Sequence, residues 1–315
     1  MDDKSIKENI LKVLLYYHIF KHPLTLEEIY TFYPDADISK QNLKDALQSL
    51  VSDNGSNIIG EQGGFYFISS YSDFVSDRLS KEIISLRIWK IARLITIVVK
   101  MLPFVRGVFI TGSLAKNSSD EDSDIDFLIV SKENRLWICR TLLMLFRRIF
   151  LFNNSKYFCL NYCLAENNLS IDDRNIFTAT ELAHIKVMYN SNTLKRLMQS
   201  NNWIERYFPN YLTTDSLYHF SSFQTSNTTS ILQPFFELFF RGKIGDRIDL
   251  LFQQWIHRRM KKKYPNYSEL EQNQSFQLTT SKAKIHGAVV DNKKDILDKY
   301  NDLLKQYNLS GHMEH

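Results

Sequence analysis

Residues 106–130 read RGVFITGSLAKNSSDEDSDIDFLIV, and two short runs inside this stretch decide the fold. Val108–Thr111 is apolar and rich in β-branched residues, and it stops at Gly112-Ser113, which predicts a strand ending in a turn. A glycine at a strand end lets a phosphate approach the backbone. The amides that follow and the Ser113 hydroxyl would donate to its oxygens, helped by a short helix starting at Leu114. Asp124–Val130 predicts a second strand. With a side-chain period of two, Asp124 and Asp126 share one face while Ile125, Phe127 and Ile129 take the other. Paired carboxylates entering a buried strand repel each other and are costly to desolvate, and a divalent cation with oxygen ligands relieves both costs. Asp120, Glu121 and Asp122, just before them, read as a solvated acidic turn.

Outward from this core, the pattern predicts a helix over 135–152 and a strand over 157–165. In that strand Cys159, Asn161, Cys163 and Ala165 alternate with Phe158, Leu160, Tyr162 and Leu164, which makes Asn161 the residue best placed to meet the aspartates. Asparagine can ligate magnesium through its oxygen but cannot serve as a base. Glu166 at the strand end and Glu181 on the next helix are the alternative acids. His184 reads as structural, and Tyr162 and Trp203 as core aromatics with base stacking as the alternative. Cys159 and Cys163 lack the second pair a zinc site needs.

These residues resemble the nucleotidyltransferase superfamily typified by DNA polymerase beta. Its signature is a hydrophobic residue, Gly, then Gly or Ser, a gap of about ten residues, and an acid–hydrophobic–acid strand. Here Thr111 stands in the hydrophobic slot, Gly112-Ser113 follows, residues 114–123 form the gap, and Asp124-Ile125-Asp126-Phe127 closes the motif. The resemblance implies a small mixed sheet with helices over about residues 100–185. It also implies a magnesium-dependent transferase in which Asp124 and Asp126 are catalytic and hold the metal. Gly112, Ser113, Lys116 and Asn161 would bind a nucleoside triphosphate, with ATP expected, and the acceptor is left open. The family usually supplies a third carboxylate from a later strand, where this chain has Asn161.

Residues 1–70 read as three helices and a hairpin. Ile6, Ile10, Val13, Leu14 and Tyr17 recur at helical spacing, Thr25 is placed to cap a helix at Leu26, and Ser39 to cap one carrying Leu43, Ala46, Leu47 and Leu50. Asn57–Ile59 and Phe65–Ile68 flank Gly60 and Gly63-Gly64. This order resembles a winged helix, yet six lysines face ten acids in residues 1–70, the wrong sign for phosphate contacts, so packing or docking to a partner is preferred to DNA binding. A long amphipathic helix is expected over 78–102 (Leu79, Ile83, Leu86, Ile91, Leu94). Beyond a polar stretch, Thr213–Ser230, another is expected over 246–263, ending in the basic run Arg258–Lys263. The reading is therefore an α/β (α+β) protein with a winged-helix-like domain over 1–75, a nucleotidyltransferase core with its leading helix over 76–190, and a mainly helical region over 191–315.

Composition narrows the partners. A net charge of +4 is too small to point to nucleic acid or membrane, so no membrane partner is expected and nucleic acid is not favoured. The start of the sequence has no secretory pattern, no apolar run reaches the roughly 20 residues of a span, and three cysteines fit reduced thiols; a cytoplasmic protein is expected. A non-catalytic, nucleotide-binding regulator with an interaction module is the alternative, and Asn161 favours it.

Overall fold

The computed structural model describes residues 3–52, 58–69, 73–211, 225, 232–265, 267–272, 276–285 and 292–309. Asn57 and, apart from Thr225, the whole polar stretch 213–230 lie outside the described residues. The N-terminal unit packs α1 (Asp3–His18), α2 (Leu26–Thr31) and α3 (Lys40–Ser52) with an antiparallel sheet ordered β1 (Leu24–Thr25), β3 (Phe65–Ile68), β2 (Ile59–Gln62). Thr25 closes a capping box, taking the Glu28 amide at 3.3 Å while its own amide donates to Glu28 at 2.8 Å. Ser39 takes the Asn42 amide at 3.1 Å. Gly63 and Gly64, at φ +60° and +84°, supply the left-handed pair that a tight β2–β3 hairpin requires.

A six-stranded mixed sheet forms the centre, ordered β7 (Lys186–Tyr189), β4 (Val105–Thr111), β5 (Asp126–Ser131), β6 (Cys159–Ala165), β9 (Lys282–Ile285), β8 (Phe276–Leu278). Among the described residues only β5 and β6 pair in parallel, connected through α6 (Leu136–Phe150), which satisfies the need of parallel neighbours for a crossover. Both faces are buried. Phe109, Leu128, Val130 and Leu164 meet the N-terminal unit together with α7 (Ile176–Ala183), α8 (Ser191–Gln199) and α12 (Asn292–Gln306). Val108, Ile110, Phe127, Ile129 and Cys163 meet α4 (Phe74–Val99), α6 and Ile256 of α10 (Gly242–Lys263). Burying one such large side chain contributes about 1.5–3 kcal/mol, so this double layer holds the strand ends that carry the site.

Several expectations need correction. The helix before β4 forms, over Phe74–Val99, but it presents the opposite face: Leu79, Ile83, Leu86 and Leu94 are 46–65% exposed. The inward side holds Arg78, Ser85 and Trp89 because these have polar partners. Trp89 Nε1 donates to Asn117 at 2.9 Å, and Ser85 Oγ accepts the Ser119 amide at 3.2 Å. The helix expected over 135–152 ends at Phe150, and that expected over 246–263 starts four residues earlier, at Gly242. The C-terminal region contributes strands as well as helices. Lys282 and Lys284 of β9 are buried yet paired with Asp172 at 2.6 Å and Asp173 at 3.6 Å, which disguises the strand as a polar segment. Strand β5 begins at Asp126, so Asp124 lies in the lead-in, exposed.

Candidate functional site

The end of the central sheet where β4 stops and β5 and β6 start gathers the candidate residues. Thr111, the last residue of β4, pairs with Asp126, the first of β5, and Asp126 pairs with Cys159, the first of β6. Gly112 follows at φ +70°, and a Cβ built there would lie 2.2 Å from Asp126 Oδ2. Glycine is therefore demanded twice, by the left-handed backbone and by the carboxylate beside it. The helix after it, α5 (Gly112–Ala115), is one turn long, so any anion would meet single amides rather than a developed helix dipole. Loop 113–119 is tied to itself. Ser113 Oγ lies 3.2 Å from Ser119 Oγ, and the Ser113 carbonyl accepts the Ser118 amide at 2.9 Å.

Asp124 is steered by backbone pairing around its neighbour: the Ile125 amide donates to Lys156 O at 2.8 Å and Ile125 O accepts the Cys159 amide at 2.9 Å. Asp126 is half-buried. Burial, then the nearby charge of Glu181 and then that of Asp124, push its carboxyl up to about 7 against the downward pull of Cys159 and Asn161. Asn161 reaches Asp126 by a device the alternation pattern does not contain. Phe127 pairs with Leu160 and Leu128 with Tyr162, so Asn161 is the extra residue of a β-bulge, and its Nδ2 donates to Asp126 Oδ1 at 2.6 Å. The bulge also shifts the phase of β6, putting Leu160 in the same layer as Cys163 and Ala165. The Cys159 thiol donates to Asn161 Oδ1 at 3.3 Å; burial, then Asp126, push its pKa up to about 12, so it stays protonated.

Residues 91–195 match the nucleotidyltransferase domain family. This stretch is a nucleotidyltransferase domain. It contains every residue named at the site so far and covers about one third of the chain, so the N-terminal unit and the C-terminal region lie outside it. No curated protein and no solved structure matches the chain.

Within the nucleotidyltransferase domain, the acid brought to the site from outside the motif is Glu181, on α7. Its carboxylate accepts the Gly112 amide at 3.1 Å and pairs with Lys116. Lys116 also lies 5.4 Å from the ring of Phe20, so the N-terminal unit touches the site through the turn after α1. Glu166 sits at the far end of β6, near the Glu133 amide (3.4 Å) and Arg196 (4.0 Å). His184 is packed away. It stacks on Phe32 at 4.6 Å and bonds to the Thr180 carbonyl at 2.8 Å, and burial holds it neutral by lowering its pKa far below the usual value. Tyr162 lies beneath Lys284 and Trp203 donates to Asn201, so neither is at the site. Among the described residues no three His, Cys, Asp or Glu side chains are gathered as a ready metal cage. Sequence spacing has no means of linking Glu181 to Gly112 or Phe20 to Lys116, since tertiary packing alone brings them together.

Proposed function

We propose that this protein is a magnesium-dependent nucleotidyltransferase, moving a nucleotidyl group from a nucleoside triphosphate, ATP first, to an acceptor hydroxyl of a small molecule or protein and releasing pyrophosphate. The observation that carries the reading is the close approach of the Gly112 turn to Asp126, a carboxylate short of positive charge. Gly112, Ser113 and Lys116 would hold the outer phosphates, and Asn161 would orient Asp126.

The donor set fits magnesium. Asp124 and Asp126 offer two oxygen ligands, and this ion commonly takes one or two carboxylates and completes its shell with phosphate and water. When bound, it would neutralise charge developing at the α-phosphate and the departing oxygen. The Gly112 amide and Lys116 are engaged by Glu181 in the free protein, so a triphosphate must displace that carboxylate to take the same donors.

The test is pyrophosphate release with magnesium and each of several triphosphates, comparing the natural chain with Asp126→Asn. Full activity in the variant would end this mechanism. A second reading, a nucleotide-binding regulator, is favoured by Asn161 in place of a third strand carboxylate; tight triphosphate binding with no release over hours would select it. In either reading the winged-helix-like unit serves as a docking module for protein.

A further inference from the structure

Away from the site, α9 (Leu232–Leu238) and α10 form a surface with an unusual composition. Phe235, Phe239, Ile244, Leu251 and Trp255 are each more than half exposed. Residues 232–263 hold eight basic side chains and three acids. The basic ones stand outward, with Arg241, Lys243 and Arg247 near the turn and Arg258, Arg259 and the lysines at 261–263 at the far end. Each acid is paired with the rest of the protein, and only Asp246 among them is exposed. Glu237 takes Arg106 at 2.8 and 2.9 Å and the Phe104 amide at 2.8 Å, Asp246 takes Arg135 at 2.6 Å, and Asp249 takes the Ile138 amide at 2.8 Å. The patch continues onto α4. Gln233 of α9 donates to the carbonyls of Leu102 and Val105, both at 3.0 Å, just beyond the exposed Ile97 and Val98.

We propose that this face docks on an anionic lipid surface. Large apolar and aromatic side chains between outward cations match the boundary between acyl chains and charged headgroups, whereas a plain solvated face would carry acids as well. Arg259 lies 5.6 Å from the Trp255 ring, a cation and an aromatic side by side at that boundary. A second copy of the chain fits less well, because a twofold contact would set these cations against their own images. Nucleic acid would use the cations but leave Ile244 and Leu251 without a partner. Among the described residues no helix is long and apolar enough to cross a membrane, so the contact is peripheral. It departs from the expectation of no membrane partner, which rested on overall charge and the absence of a span.

The full chain gives a direct readout, since Trp89, Trp137 and Trp203 are buried and Trp255 is 54% exposed. Vesicles of mixed phosphatidylglycerol and phosphatidylcholine should float with the protein and shift tryptophan emission to the blue. Vesicles of phosphatidylcholine alone should bind about tenfold less, and each lysine among residues 261–263 changed to Gln should weaken binding about fivefold. Trp255→Phe should keep flotation and lose the shift, while Phe235→Ser with Phe239→Ser should lose both. The proposal is overturned if the natural chain does not float with the acidic vesicles. It is overturned equally if Trp255 is already shielded in a dimer without lipid, or if random DNA is bound and vesicles are not.

Discussion

The two ends of β4 and β5 handle buried charge in opposite ways. At the far end, Glu237 is held by Arg106 and by the Phe104 amide. Burial alone would raise its pKa, but those hydrogen bonds outweigh burial and hold it below the usual carboxylate range. At the site end, Asp126 is pushed up to about 7 by burial and by Glu181, and Lys116 is already paired to Glu181. One end is balanced by the fold and the other is left short of positive charge. That shortage of positive charge is what the proposed metal ion would relieve, whereas the far end is already compensated by the fold.

The sharpest way to break this contrast is Asp126→Asn, expected to lower pyrophosphate release by roughly a thousandfold or more in a coupled assay. The same variant has a signature without metal. Asp126 keeps its proton to about 7 in the folded chain, whereas its ordinary value is 3.8. Its ionisation therefore opposes folding, and metal-free stability falls as pH rises between those two values. The neutral asparagine should melt higher than the natural chain at about pH 8 and alike at about pH 3.

Gly112→Ala should come next, with transfer down about a hundredfold and the fold weaker by about 1–3 kcal/mol in urea titration, from the left-handed φ and the displaced Asp126. Glu181→Gln should act in the other direction on binding. With the competing charge gone, inorganic triphosphate should bind about five- to tenfold tighter by calorimetry, and unchanged affinity would show that Glu181 does not compete for those donors. The smallest effect on transfer belongs to the balanced end. Glu237→Gln should leave the rate per folded molecule within about twofold while lowering stability by about 2 kcal/mol, as losing charge-assisted hydrogen bonds does.

Much of this was legible in the sequence where the signal is local. The strand running into Gly112 and an acidic strand after it follow from runs of a few residues, although that strand opens at Asp126 rather than at Asp124, and Thr25 and Ser39 cap the helices expected of them. Other features hid for identifiable reasons. The inward face of α4 depends on loop 117–119 needing Trp89 and Ser85, and Asn161 turns to Asp126 through a bulge that simple alternation lacks. Strand β9 carries two lysines whose partners lie more than 100 residues away.

Taken alone, the chain's sequence determined that a glycine-serine turn and two nearby aspartates flank neighbouring strands, because side-chain period and turn chemistry act over a few residues. Only the tertiary structure decided which remote groups close around them. Glu181 is 69 positions from Gly112, and Phe20 reaches Lys116 from another unit. Such contacts follow from how helices pack on both faces of a sheet, a choice made by the summed burial of the whole core rather than by any single segment.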